Sequence, residues 1–298
     1  MSQRHTYGGQ AVIEGVLIRG RRFISLAVRR QNSEIFTECK PINPIYFSLL
    51  RQLPIIRGML VLIETLIMGI QALNRSAAIA IEDQLDPGES GIPGWMTAGS
   101  FLLAIIIGVG IFFISPLFAA RALDSHISSS IVSNLIEGII RLSFVVAYIS
   151  LIGLMKDVKR VFGYHGAEHM VVHTHEAGMA LTIENARRFP TAHPRCGTAF
   201  LLTVMVIAII VFSLIGRPSM VWSIASRVAL LPLIAGISYE IIRFTGLHGN
   251  TLITQLISFP GLLLQRLTTR QPDDDQIEVA ITSMETALKA DAGNTPAE

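Results

Sequence analysis

Two histidines four residues apart, with a glutamate between them, are the residues of this chain best suited to metal chemistry. They lie in the segment His165-Gly166-Ala167-Glu168-His169. On a helix, residues four apart share one face, so both imidazoles can point at a single ion while Glu168 projects to the side. The order H-x-x-E-H is that of the inverted zinc-hydrolase motif. The motif therefore predicts a divalent-metal site, preferably for Zn²⁺, with Glu168 placed as a base for a nearby water.

A second segment, residues 193–197, offers two more ligand types. His193 is a borderline ligand and Cys196, three residues later, is a soft one. If the chain folds back on itself, these two side chains complete a tetrahedral site with His165 and His169, whereas a catalytic site would keep one position for water. An inert, buried thiol is an equally good interpretation of Cys196, since free cysteines often pack as small hydrophobic residues.

Three further residues are candidates for supporting the ligands. His173 continues the row of histidines and can pair with His169. Glu176 points in almost the same direction but lies about 10 Å further along the helix axis, which favours a supporting role or a second ion. Glu240 lies near the end of a later apolar stretch and is the preferred distant participant. The alternative to these roles is a chance pair of surface histidines, but five of the eight histidines fall between 165 and 193.

The rest of the chain has the composition of a membrane protein. Of its 298 residues, 51% are hydrophobic and only 15% are charged, whereas soluble domains carry about 25% charged residues. Two uncharged stretches, 97–120 and 198–216, are close to the roughly 20 residues needed to cross a bilayer. Two less apolar stretches, 134–155 and 222–246, are predicted to complete a set of four spans. The net charge of +2 gives no basic footprint for nucleic acid.

The distribution of basic residues predicts the orientation of these spans. Ten Lys or Arg precede residue 97 and six more lie in the loop 156–197. Basic loops stay in the cytoplasm, so both termini and the histidine motif are expected on the cytoplasmic side of a bacterial inner membrane. The first residues lack an apolar core and a cleavage site, so no removable signal peptide is expected.

Charged residues inside the predicted spans are a second set of candidate functional residues. Glu137 and Arg141 are four residues apart and can pair on one helix face, and Arg227 shares a span with Glu240. Charges within a membrane are costly and point to a functional site by default. Pairs that merely neutralise each other are an equally good interpretation, because pairing is how buried charge is tolerated.

Two other apolar stretches are interrupted by charges or by proline. Residues 45–81 are predicted to form one or two helices on or partly in the inner leaflet. Residues 252–267 contain Pro260-Gly261 and predict a bent interfacial helix or a re-entrant segment. Whether either stretch crosses the membrane stays open.

The N-terminal and C-terminal regions are predicted to lie outside the membrane. Strand character over 11–19, 23–30 and 35–40 predicts a β-meander, in which Glu14 is expected to be an exposed edge carboxylate. Residues 276–290 predict a surface helix.

The predicted fold is thus a mainly α-helical polytopic membrane protein with about four transmembrane helices, interfacial helices and a small cytoplasmic β-meander. Six segments follow along the chain: a β-rich segment (1–43), interfacial helices and a linker (44–96), a first transmembrane pair (97–155), the metal-site segment (156–197), a second transmembrane pair (198–246), and an interfacial segment with a cytoplasmic tail (247–298).

Several short blocks in one order resemble the YqhQ-like family of bacterial multi-pass membrane proteins. They are Gly8-Gly9-Gln10-Ala11-Val12-Ile13-Glu14-Gly15, Tyr164-His165-Gly166-Ala167-Glu168-His169, His193-Pro194-Arg195-Cys196-Gly197-Thr198, Ala235-Gly236-Ile237-Ser238-Tyr239-Glu240 and Glu278-Val279-Ala280. The resemblance implies a membrane location and metal binding, and it supplies neither a substrate nor catalytic residues. Members commonly carry Lys after the histidine motif, where this chain has Met170.

The leading hypothesis is a metal-dependent membrane hydrolase acting at the cytoplasmic face on a membrane-proximal peptide bond or a lipid head group. His165 and His169 would hold the ion, with His193 or Cys196 as a further ligand, and Glu168 would be the base. The alternative is a non-enzymatic scaffold or membrane-protein assembly factor with a structural metal or none. Transport is a third idea, although four spans are few. Expected partners are the lipid bilayer and either membrane proteins or a second copy of the chain.

Overall fold

The computed structural model describes residues 7–43, 52–82, 94–216, 219–247 and 251–293. Most of the predicted linker before residue 97 and the end of the predicted tail lie outside these residues.

Four antiparallel strands near the N-terminus form a meander in the order β1-β2-β3-β4. Their bounds are β1 Gly8–Val12, β2 Gly15–Arg19, β3 Phe23–Arg29 and β4 Ile35–Pro41. The prediction of one strand over 11–19 is wrong, because the chain reverses at Ile13-Glu14 and Val12 pairs with Gly15. Glu14 adopts a φ of 51°, in the left-handed region that tight turns require.

Eleven α-helices follow within the described residues. They are α1 Ile56–Glu82, α2 Gly94–Val109, α3 Ser115–Ala122, α4 Ser130–Ile152, α5 Lys156–Glu176, α6 Ile183–Ala186, α7 Gly197–Ile215, α8 Met220–Ala229, α9 Leu231–Leu247, α10 Leu252–Thr268 and α11 Asp274–Asp291. A π-helical turn, Gly110–Ile114, joins α2 to α3.

Helices α5 and α11 cover one face of the sheet and share its main core. The sheet contributes Val16, Ile18 and Ala27, all fully buried, and α5 contributes Tyr164 and its neighbours. The prediction of a surface helix over 276–290 is wrong, because α11 is central to this core. Six of its residues have no exposed surface: Ile277, Val279, Ala280, Met284, Ala287 and Ala290. Half of these are alanines, whose small side chains give little sequence signal for burial.

Helix α1 covers the opposite face of the sheet. Ala72 and Ile79 pack against strand residues such as Leu17, and the carboxylate of Glu64, 1% exposed, accepts hydrogen bonds from Arg19 at 2.8 and 3.0 Å. The far side of α1 stays exposed although it is apolar, as at Leu66. The described part of the stretch 45–81 is therefore one continuous helix with apolar residues on two opposite sides.

Four helices are long and apolar enough to cross a membrane: Ile56–Ala80, Gly99–Ala122, Ser130–Ile152 and Gly197–Ile215. The last three confirm three of the predicted spans as apolar helices. The fourth predicted span, 222–246, is instead a pair of helices, α8 and α9, bent by 44°. Helix α10 runs through Pro260 without a break and has 17 residues.

A buried ion cluster joins the apolar helices. Glu137, 2% exposed, binds both Arg141 and Arg227. Arg141 also donates from Nε to the carbonyl of Phe112, which lies in the π-helical turn where the usual ladder of helix bonds is disturbed. The predicted pair of Glu137 and Arg141 is confirmed, whereas the partner of Arg227 is Glu137 and not Glu240.

Candidate metal centre

One helix and one returning loop build the centre. Helix α5 carries His165, Glu168 and His169 and ends before Gly178, which has a φ of 69°. The loop 190–196 then returns across α5. It delivers Cys196 to the start of α7, where the sulfur accepts the backbone N–H of Thr198 at 3.4 Å.

His165, His169 and Cys196 form a group whose ligand atoms lie within 4.8 Å of one another. Nε2 of His165 is 3.1 Å from Sγ of Cys196. Ligand atoms around a tetrahedral Zn²⁺ at about 2.0–2.3 Å would be about 3.3–3.8 Å apart, so an ion fits after small adjustments. The loop thus brings Cys196 to the two histidines, as the sequence predicts.

Backbone carbonyls hold the two imidazoles in one tautomer. Nδ1 of His165 faces the carbonyl of Thr268 at 2.8 Å, and Nδ1 of His169 faces the carbonyl of Thr191 at 2.6 Å. A carbonyl can only accept, so each Nδ1 carries the proton and donates it. Both Nε2 lone pairs therefore point into the group, which is the orientation that metal-binding histidines usually have.

The group has more lone pairs than protons. A thiol at Cys196 has one proton for two Nε2 atoms, and Oε2 of Glu168 lies 3.5 Å from Nε2 of His169. With Glu168 ionised and no positive charge between them, lone pairs of nitrogen and of a carboxylate would face one another in a site where His169 is 3% exposed. A divalent cation satisfies this donor set, so the residues fit a metal ion.

Glu168 is buried between the helix and the first strand. It is 4% exposed and accepts the backbone N–H of Gly9. Burial raises the pKa of Glu168, while the histidines at 165 and 193 and the Gly9 N–H act to lower it. A side chain at Gly9 would approach Glu168 Cγ to 3.0 Å. The glycine therefore lets β1 come close enough to hold the carboxylate.

A second group, His173, Glu176 and His193, lies beside the first. Nδ1 of His193 accepts the backbone N–H of Arg195 at 3.2 Å, so its Nε2 carries the proton and faces Glu176 at 3.4 Å. Glu176 also forms an ion pair with the Arg195 side chain. These hydrogen bonds and the ion pair already use the charge of Glu176, so this group is complete without a metal.

Neighbouring imidazole rings connect the two groups. The ring of His193 is centred 4.5 Å from that of His173 and 5.7 Å from that of His169. The structure thus places His193 with His173 and Glu176, next to the His165–His169–Cys196 group and outside it. His173 donates from Nε2 to the carbonyl of Ala192 at 3.0 Å, and burial lowers its pKa to about 4.

Glu240 lies in a different cluster. Both its oxygens bind the guanidinium of Arg57, and Oε1 also accepts the backbone N–H of Ile55 at 3.3 Å. Neither group of potential ligands contains Glu240, the predicted distant participant.

Four residues near the centre escape sequence reasoning. The backbone carbonyls of Thr191 and Thr268 carry no side-chain signal at all. Gln265, fully buried in α10, binds both the N–H and the carbonyl of His193 at 2.7 and 2.9 Å; an amide within an apolar stretch is the signal that could have found it. Glu14, in the turn between β1 and β2, is expected to be exposed but binds Arg160 on α5.

Replacing Gly166 with alanine tests the close approach of α5 to the backbone that follows α10. The added methyl group would lie 2.2 Å from the backbone carbonyl oxygen of Arg270. We expect Gly166→Ala to separate α5 from the segment holding Thr268, to cost about 1–3 kcal/mol of stability, and to weaken Zn²⁺ binding by about 10–100-fold. Thermal unfolding and a competitive zinc titration measure both effects. Gly197→Ala is the control, since its methyl group meets nothing within 4 Å; equal behaviour of the two variants would contradict the prediction.

The fold and the site define a class: a mainly helical protein with helices apolar enough to cross a membrane, carrying a His–His–Cys candidate metal centre on a sheet-and-helix unit. Residues 53–290 match the family model described as "Protein of unknown function (DUF1385)". The "Uncharacterized protein YqhQ" of Bacillus subtilis strain 168 is 32% identical over 300 residues, covering 96% of this chain and 93% of that protein. The chain therefore belongs to this family, which confirms the YqhQ-like resemblance. Comparison with solved structures gave no significant match.

Proposed function

We propose that the protein is a membrane-anchored, metal-dependent enzyme of the hydrolase class. The observation that carries this proposal is the convergence of two Nε2 lone pairs and one sulfur, held by carbonyl-bound Nδ1 atoms, beside the buried carboxylate of Glu168. Three protein ligands leave a fourth position of a tetrahedral ion for water or substrate, which is the arrangement of catalytic zinc sites.

Each residue then has a separate task. A divalent ion, when bound, supplies Lewis-acid activation of water or of a substrate oxygen. His165, His169 and Cys196 hold it, and the carbonyls of Thr191 and Thr268 keep the imidazoles in position. Glu168 lies beside the ligand atoms and outside the set of three, where it can receive a proton from the attacking water and pass it to the leaving group.

The packing supports a location at the membrane surface. The sheet and α5 share one core, so they lie on the same side of any membrane and the chain between them crosses it an even number of times. Three units in that stretch are apolar enough: α1, α2 with α3, and α4. Helix α1 is the one that does not cross, because it packs along the sheet, and its exposed apolar side suits the inner leaflet.

The same argument applies to the second half of the chain. Helices α5 and α11 share a core, so an even number of crossings also separates them. Helix α7 and the bent pair α8–α9 supply two, which leaves α10 within the interface. Both ends of the chain and the candidate centre then lie on one side, and the basic residues favour the cytoplasm for that side.

Glu168→Gln tests the enzymatic role. Glutamine keeps an oxygen for the N–H of Gly9 but cannot act as a base, so the variant should fold, keep its metal and lose at least about 100-fold in rate. Purified protein is incubated with a membrane lipid extract and with membrane-protein peptides, and products are identified by mass spectrometry. Glu184→Gln, at an exposed residue of helix α6, is the matched control. A product formed equally by wild type and Glu168→Gln would overturn the proposed role.

A structural metal is the second candidate, and one observation favours it. The three ligands and the two carbonyls join α5, the loop 190–196, the start of α7 and the end of α10. An ion closed by Glu168 as fourth ligand would hold these segments together, as structural zinc does. Cooperative unfolding upon chelation, together with loss of the metal in Glu168→Gln, would support this candidate over the enzyme.

A further inference from the structure

A cavity of about 660 Å³ opens beside the candidate metal centre and differs in character at its two ends. The loop 190–195, the end of α9 and one side of α10 enclose it. Its polar end is formed by the second group of residues together with Arg195 and Arg266. Its apolar end is formed by α10 residues Phe259, Leu262 and Leu263, and the uncharged polar residues Thr254, Gln255 and Ser258 of the same helix also line the cavity.

The polar end carries an excess of positive charge. Arg195 is paired with Glu176, which leaves Arg266 as the uncompensated cation. Arg266 is exposed and forms no ion pair within the part of the chain that the structure describes. His193 is buried and His173 half-buried, and neither adds fixed charge, since burial lowers the pKa of both. An anionic group is therefore the complementary ligand for this end.

The apolar end opens onto a surface suited to hydrocarbon. Phe259 is 63% exposed and Leu263 50% exposed, and Leu256, one turn earlier on α10, is 74% exposed. These side chains continue the apolar surface of a helix that also packs on the membrane-type helix α7 through Gly261. A ligand that fits both ends must carry an apolar chain as well as an anionic head.

The cavity also reaches the candidate centre. His193 lines the cavity, and its ring is 5.7 Å from that of His169 in the metal group. A head group held at Arg266 and His193 would therefore be separated from the candidate metal-ligand atoms by the imidazole ring of His193. A second cavity, lined by Arg57, Glu240, Arg243 and apolar residues, touches neither group of histidines.

We propose that this cavity binds a phospholipid with an anionic head group, its phosphate at Arg266 and its acyl chains along Phe259 and Leu263. The proposal deepens the proposed function by naming the substrate class, and it rests on that function only in treating the bound lipid as a substrate. The binding itself needs only the cavity, so the two can be tested separately.

The experiment measures binding of dilauroyl phosphatidylglycerol to the full chain in a neutral detergent, by native mass spectrometry and by equilibrium titration. Arg266→Glu should weaken binding by at least about tenfold, because it removes a charge-assisted contact and adds repulsion. Phe259→Ala should weaken it by a smaller factor. Arg188→Glu is the matched control: it makes the same charge change on an exposed residue outside the cavity. Zinc content is measured for each variant and should equal that of wild type, which shows that the fold persists.

Two comparisons identify the ligand chemistry. Dilauroyl phosphatidylcholine, with the same chains and no net charge, should bind more weakly by about tenfold. Inorganic phosphate at equal concentration should not displace the lipid. Equal loss in Arg266→Glu and Arg188→Glu, equal binding of both lipids, or displacement by inorganic phosphate would each overturn the proposal. If the wild-type protein binds the lipid but neither purifies with zinc nor takes it up on titration, the proposed enzyme is overturned and the cavity assignment stands.

Discussion

Replacing His165 and His169 together with alanine is expected to abolish stoichiometric metal binding. The wild-type protein, purified in detergent, should carry about one zinc per chain, and the double variant close to none. The reason is that both Nε2 lone pairs are lost and a single thiolate cannot hold the ion. The expected loss of affinity exceeds the 10–100-fold that removal of supporting hydrogen bonds typically causes. Elemental analysis of the purified proteins measures the content directly.

His175→Ala is the matched control for this experiment. It removes an imidazole from the same helix, but the ring of His175 packs edge-on against Tyr7 at 5.0 Å and belongs to neither group of ligands. Equal, near-zero metal in wild type and double variant, or full metal in the double variant, would contradict a metal centre at this position. Cys196→Ser should lie between the extremes, because a hydroxyl is a poorer zinc ligand than a thiolate.

The second large effect is expected at the buried ion cluster. Glu137 is the single carboxylate between Arg141 and Arg227, so Glu137→Gln leaves two guanidinium groups buried without a countercharge. Breaking a buried pair in this way costs about 3–5 kcal/mol. Arg227→Gln should cost clearly less, because it leaves the pair Glu137–Arg141 intact and removes the excess charge. Thermal unfolding in detergent, followed by circular dichroism, ranks the variants.

The order of the two variants distinguishes charge balance from the loss of any buried contact. Glu285→Gln, at a partly exposed residue of α11, should change stability by less than about 0.5 kcal/mol and serves as the control. If Arg227→Gln were as destabilising as Glu137→Gln, uncompensated positive charge would not explain the loss of stability, and the prediction would be contradicted.

Much of the candidate site could be predicted because its chemistry is local. The spacing of His165 and His169 places both imidazoles on one helix face, and the His-Pro-Arg-Cys segment offers ligands that a returning loop can deliver. Which of them arrives depends on the path of the loop. His193 points toward Glu176, and Cys196 meets the histidines, because Gln265 holds the backbone of the loop at His193.

The apolar helices could be predicted because apolar runs of about 20 residues have few other uses. The position of α11 could not, because half of its fully buried residues are alanines and its first turn is acidic. The hairpin at Ile13-Glu14 was also missed. Its turn depends on a left-handed conformation at Glu14, and glutamate is not among the residues that favour this conformation.

Residue type and spacing alone were enough to identify the apolar helices, the metal-type motif and the family resemblance. These depend on composition and on helix geometry, which act over a few residues. Folding alone decided that the sheet, α5 and α11 form one core, that Nδ1 of each histidine is held by a distant carbonyl, and that a cavity with an excess of positive charge adjoins the centre. Such features join residues up to about 280 positions apart, as in the contact of Tyr7 with Asp291, and long-range packing leaves no periodic trace in a single sequence.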